Sequence, residues 1–128
     1  MGAASPAHTH DPRTFAIIGA ALEVHTTFGC GYLEKGYQFA LANELARRGI
    51  PHELEVELPM RYKGDLLDCR SRVDLVCFGD IIVELKAMQA LGSVEAAQVL
   101  NYLKLSGFAT GLLFNFGALS LETRRFVL

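Results

Sequence analysis

The stretch 69–87 constrains this chain more than any other. Two apolar runs, Val73-Asp74-Leu75-Val76 and Ile82-Val83-Glu84-Leu85-Lys86, flank the turn sequence Phe78-Gly79-Asp80. β-Branched residues bounded by Gly and Asp read as two strands, 69–78 and 81–87, joined by a tight hairpin-like link. Period-two alternation then sorts the side chains by face. On the first strand Val73, Leu75 and Cys77 point one way, and Arg72, Asp74, Val76 and Phe78 the other. On the second, Ile81, Val83 and Leu85 fill one face. Glu84 and Lys86 share the opposite face, roughly 7 Å apart along the strand. If the two strands pair, Asp74 and Glu84 come within reach of one ion. Clustered carboxylates repel, and a divalent cation relieves the repulsion. Each piece also has a plainer reading. Asp74 can be the partner of Arg70 or Arg72, and Glu84-x-Lys86 can be a solvated strand face carrying one charge of each sign.

The remaining pattern surrounds these strands with helices. Phe15, Ile18, Leu22 and His25 fall at helical spacing and predict a helix over 13–27 with that stripe inward. Phe28-Gly29-Cys30-Gly31 breaks it. Tyr37, Leu41 and Leu45 predict a second helix over 33–48, ended at Gly49. The segment 52–62 alternates Leu54, Val56 and Leu58 with Glu53, Glu55 and Glu57, as a half-exposed strand does. Gly92-Ser93 opens a third helix to about residue 105, with Ser93 as the expected N-cap. The run 110–116 is almost wholly apolar, as in a central buried strand. Segment 119–128 fits either a short helix or an edge strand. The order gives an α/β (α+β) fold: a three-strand meander, a helix and a return strand, in a mixed sheet of about four strands, with two helices at the N-terminus.

Composition sets the limits. At 128 residues the chain is expected to form one domain over 13–128, with residues 1–12 as a flexible tail. The tail lacks the apolar segment of a signal peptide. No apolar stretch is long enough to span a bilayer. Cys30, Cys69 and Cys77 have no metal-ligand spacing and read as reduced thiols in a cytoplasmic protein. A net charge of −2 disfavours tight non-specific nucleic-acid binding. A phosphate-cradling Gly-rich loop, a nucleophile elbow and a Cys-x-x-Cys pair are all absent from the sequence. His8 and His10 fall in the tail, His52 begins a strand, and His25 reads as a core or rim histidine.

Three helix positions could join the acidic strands. Glu34 and Tyr37 share one face of the second helix at i, i+3, and Glu34 could supply a third carboxylate. Their plainer roles are a first-turn Glu favoured by the helix dipole and a core Tyr. Gln98 and Tyr102 share a face of the third helix at i, i+4, and read otherwise as edge-of-core residues with wet polar ends.

Together these positions resemble the PD-(D/E)xK nuclease-like superfamily, and within it the small bacterial GxxExxY proteins. The name-giving pattern stands as Gly31-x-x-Glu34-x-x-Tyr37. The likeness continues through Asp74, Glu84-Leu85-Lys86, Gln98-x-x-x-Tyr102 and Gly111-Leu112-Leu113-Phe114-Asn115-Phe116-Gly117. Val73 stands where the superfamily pattern has proline. The resemblance implies a restriction-endonuclease-like core and a site for Mg2+ or Mn2+. Asp74, Glu84 and the Leu85 carbonyl would bind the metal, with Glu34 as an additional ligand. Lys86 would serve as a base or, preferably, as an electrostatic clamp. Gln98 and Tyr102 would hold the site or a phosphate. Arg70 and Arg72, on the Asp74 face if alternation is regular, would meet neighbouring phosphates, with Tyr37 also on the substrate side.

The expected function is therefore metal-dependent hydrolysis of phosphodiester bonds in nucleic acid, most simply DNA. The alternative is a non-catalytic nucleic-acid-binding or protein-interaction module on the same fold. Near-neutral charge and small size favour that alternative, or else a homodimer or a partner protein.

Overall fold

The computed structural model describes residues 11–128. The first ten residues of the expected tail lie outside that range. Its last two belong to the first helix, α1 (Pro12–Phe28). Asp11 is the N-cap, its side chain accepting the Arg13 N–H at 2.9 Å, and Pro12 takes the first turn, where no N–H is needed.

The buried face of α1 is Thr14, Ile17, Ala20, Ala21 and Val24, not the stripe of larger residues. Phe15 is 79% exposed and Leu22 50%. Two helical stripes compete here, and the one with Ala20 and Ala21 wins because small side chains let α2 (Glu34–Arg47) approach closely. From α2, Tyr37, Leu41, Ala42 and Leu45 enter the same core.

Five strands follow: β1 (His52–Tyr62), β2 (Asp65–Cys77), β3 (Ile81–Lys86), β4 (Thr110–Asn115) and β5 (Glu122–Val127), with α3 (Ser93–Ser106) between β3 and β4. They form one sheet in the order β1-β2-β3-β4-β5. Only the β3–β4 pair is parallel, because α3 carries the chain across the sheet between them. The sheet thus has one strand more than the meander-and-return reading. The ambiguous C-terminal segment is an edge strand, antiparallel to β4. The N-cap of α3 is Gly92 rather than Ser93, with the Glu95 carboxylate reaching back to the Gly92 N–H at 2.8 Å.

Helices α1 and α2 cover one face of the sheet. They pack on Leu75, Cys77, Ile81, Val83, Leu85, Leu112 and Phe114. Helix α3 covers the other face, where Tyr102 and Leu103 meet Leu58, Val73, Val76 and Ile82. Val73 and Leu75 therefore lie on opposite faces. Regular alternation puts them on the same face, so the pleat breaks at the residue between them, Asp74.

Candidate active site

The break at Asp74 has visible causes on both sides of β2. The β1–β2 ladder pairs Leu54 with Leu75 and Val56 with Val73. Glu55, between them and so facing Asp74, adopts φ 53, a left-handed conformation rare for a side-chain-bearing residue. The Asp74 carbonyl turns instead to α2 and accepts from Gln38 Nε2 at 3.0 Å. On the other side, β2 pairs with β3 only over Leu75–Val83, Val76–Ile82 and Cys77–Ile81. Beyond that the strands are held by side chains. The Asp74 N–H donates to Glu84 Oε1 at 2.7 Å, and the Leu85 N–H donates to Asp74 Oδ2 at 2.8 Å. Each carboxylate takes the backbone donor of the opposite strand, so the ladder opens while both of those donors keep a partner.

This reciprocal clasp fixes two acids in a poorly solvated place. Glu84 is 4% exposed. Its pKa is pushed up to about 8, first by burial and then by the charge of Asp74. Asp74 is raised too, by burial first; the Leu85 N–H and Lys86 act against that rise and Glu34 adds to it. Both shifts favour the protonated form, more so at Glu84. A buried pair that retains a proton is short of one positive charge. A divalent cation would supply it, and oxygen donors suit Mg2+ or Mn2+. Asp74 and Glu84 therefore fit such an ion.

The other expected residues take different places. Lys86 ends β3 on the face shared with Glu84, and its charge favours ionisation of both acids. Tyr102 is buried on α3 with its phenol raised, mainly by burial and then by the charges of Glu84 and Asp74. Gln98, one turn earlier on α3, acts against that rise. Lys86, Gln98 and Tyr102 line one open cleft of about 780 Å³, with Ser71, Asn101 and Lys104 also in its walls. Glu34 is exposed on the first turn of α2 and bears on Asp74 through its charge. Among the described residues no group of three or more His, Cys, Asp or Glu is gathered as a metal cage. Glu34 thus stands beside the acidic pair rather than in it.

Three residues have other partners or surroundings. Tyr37 is fully buried, stacked on Phe116, and its hydroxyl donates to the Gly29 carbonyl at 2.6 Å. Arg72 pairs with Glu55 at 3.8 Å and Glu57 at 3.6 Å, not with Asp74. Arg70 is exposed where β2 runs out beyond β3, in a groove with Glu57 and Asp68. The expectation that both arginines share the Asp74 face rested on regular alternation, which fails at Asp74. Leu85 contributes its backbone, while its side chain is core. His25 bonds the Ala118 carbonyl at 2.9 Å and is a satisfied rim histidine. Gln38 was missed, although its i+4 spacing from Glu34 on a core-facing helix was a legible sign.

A mixed sheet opened at an acidic pair, with a lysine two residues along β3, defines a restriction-endonuclease-like α/β domain. The family model for the PD-(D/E)XK nuclease superfamily matches residues 11–126, and the chain belongs to that superfamily. Among solved structures, the crystal structure of SSO0001 has the same fold at 18% identity and a TM-score of 0.52. That match covers 70% of this chain, which spans 47% of the solved one. No curated protein matches the chain. Among the described residues no helix is long and apolar enough to cross a membrane.

Proposed function

We propose that this protein is a metal-dependent nuclease that hydrolyses phosphodiester bonds in DNA. The observation that carries this reading is the reciprocal clasp of Asp74 and Glu84 across the opened β2–β3 ladder, with Lys86 on the same face. Superfamily membership supports a nucleic-acid substrate and use of a divalent metal. The Gly31-x-x-Glu34-x-x-Tyr37 pattern favours the GxxExxY branch.

Asp74 and Glu84 would hold the ion, Mg2+ or Mn2+, with the Leu85 carbonyl beside them. When bound, the ion supplies charge neutralisation at the phosphate and an acidified water. The chain's own groups do the rest. Lys86 places a fixed positive charge next to the acids, where negative charge grows on the phosphate during attack. Gln98 and Tyr102 wall the cleft from one face of α3. Tyr37, buried, supports the loop before Glu34 instead of meeting substrate.

The test is digestion of single-stranded, double-stranded and branched DNA with each metal. Lys86→Ala should lower the rate by about 100-fold or more if the clamp is real. Unchanged cleavage in that variant removes Lys86 from the mechanism. A second reading, a binding module without cutting activity, is favoured because, among the described residues, no third carboxylate joins the pair. It predicts DNA binding without cleavage in either metal, alone or with a partner protein.

A further inference from the structure

The sequence block from Gly111 to Gly117 has no part in the acidic pair, yet its polar and glycine positions touch everything that carries Lys86 and α3. Lys86 pairs in register with Asn115, and the Phe116 N–H donates to the Lys86 carbonyl at 2.8 Å. Asn115 is 0% exposed. Its Oδ1 accepts from the Met88 N–H and the Gly117 N–H, each at 3.0 Å. Its Nδ2 donates to Glu122 Oε1 at 2.6 Å. The same Glu122 oxygen accepts from the Leu91 N–H at 3.2 Å, and Arg124 donates to the Leu91 carbonyl at 3.3 Å.

Both ends of the segment after Lys86 are thus tied to β4 and β5, and the next residue, Gly92, caps α3. The glycines set the spacing. A Cβ at Gly117 would collide with the backbone N and O of Met88. One at Gly111 would lie 2.8 Å from Val99 Cγ1 on α3. Two backbones touch at one point, and helix touches strand at the other.

We infer that Asn115, with Gly117 and Glu122, is a positioning device that sets Lys86 and the Gln98–Tyr102 face of α3 against each other across the cleft. It touches neither the acids nor a substrate. This inference rests on the proposed function for its catalytic consequence only. Its geometric part stands without it.

The experiment compares Gly117→Ala, Asn115→Asp and the pair Asn115→Asp with Glu122→Gln. Asn115→Asp keeps the acceptor for Met88 and Gly117 but sets a carboxylate against Glu122. Adding Glu122→Gln restores a donor between the two positions, with the bond reversed, but takes the acceptor from the Leu91 N–H. Amide hydrogen exchange should rise at Met88, Leu91 and the first turn of α3 in both single variants, while the Asp74 and Leu85 amides stay protected. Mn2+ affinity, read by calorimetry, should be unchanged. Cleavage should fall about 100-fold from misplacement of Lys86, and the double variant should recover part of it, with Met88 protection restored and Leu91 exchange still raised.

Unchanged exchange at Met88 and Leu91 in Gly117→Ala and Asn115→Asp overturns the inference. So does raised exchange with cleavage at the wild-type rate, or loss of Mn2+ affinity in step with cleavage, which marks general unfolding. If the wild type cuts nothing, the proposed function fails, and the exchange pattern with its rescue still decides the inference.

Discussion

Glu84 is where sequence, burial and charge meet most sharply. A carboxyl with a folded pKa of about 8 and an unfolded value near 4.5 binds more protons folded than unfolded between those limits. Stability then falls as pH rises. The metal-free protein should therefore be most stable near pH 5 and lose stability progressively towards pH 8. Thermal melts at fixed ionic strength read this directly. Glu84→Gln, which keeps an acceptor for the Asp74 N–H, should flatten most of that slope, and an unaltered slope in the variant would place the titration elsewhere. Asp11 gives the opposite sign. Its carboxyl is lowered, chiefly by its hydrogen bond from Arg13, so its contribution is present above the usual carboxylate pKa and fades in acid. Asp11→Ala should cost about 1 kcal/mol in urea unfolding at neutral pH through the lost cap. The Glu84 and Lys86 face was legible in the sequence because a six-residue strand alternates cleanly. The arginines were less legible because the pleat turns over at Asp74, where Gln38 holds the Asp74 carbonyl and Glu55 opposite has a left-handed backbone.

Elements divide in the same way between local and distant causes. Strands β1 and β3 and helices α2 and α3 have periods strong enough to read within a residue or two. Helix α1 was read as a helix, but its buried face was not. Phe15 and Leu22 are larger than Ala20 and Ala21, so transfer energy alone selects the wrong stripe. What decides is how closely α2 can lie, a quantity no single helix encodes. β5 stayed open because Glu122, Arg124 and Arg125 interrupt its apolar positions, and pairing with β4 settles it. Close approach also explains α3. At Gly111 a methyl group would press on Val99, so Gly111→Ala should destabilise by about 1–3 kcal/mol, as overpacking does. Substitution at Gly79, where no atom lies within 4 Å of an added Cβ, strains only the turn, because its φ is 78. The denaturant midpoint of Gly111→Ala should fall at an unchanged m-value, and an unshifted midpoint would mean that Val99 gives way and packing sets no cost there.

At the scale of the whole molecule, four of the twelve Lys and Arg side chains are held in ion pairs. Arg13 is engaged by Asp11 and Asp80, Lys35 by Glu55, Arg48 by Glu44, and Arg72 by Glu55 and Glu57. In the cleft beside the acids the cations are Lys86 and Lys104. A protein with a net charge of −2 and this internal pairing displaces few counterions from a nucleic acid. With about two phosphates neutralised, the slope of log affinity against log salt should be near −2. Anisotropy titrations of Asp74→Asn with duplex DNA, in Ca2+ and over a range of KCl, would measure it. Lys104→Ala should make the slope shallower by about one, while Lys35→Ala, on the α2 side, should leave it alone. A slope of about −6 or steeper would require more cations than this cleft of one copy holds. Sedimentation of the complex would then have to show a second copy, and its absence would contradict binding through this cleft.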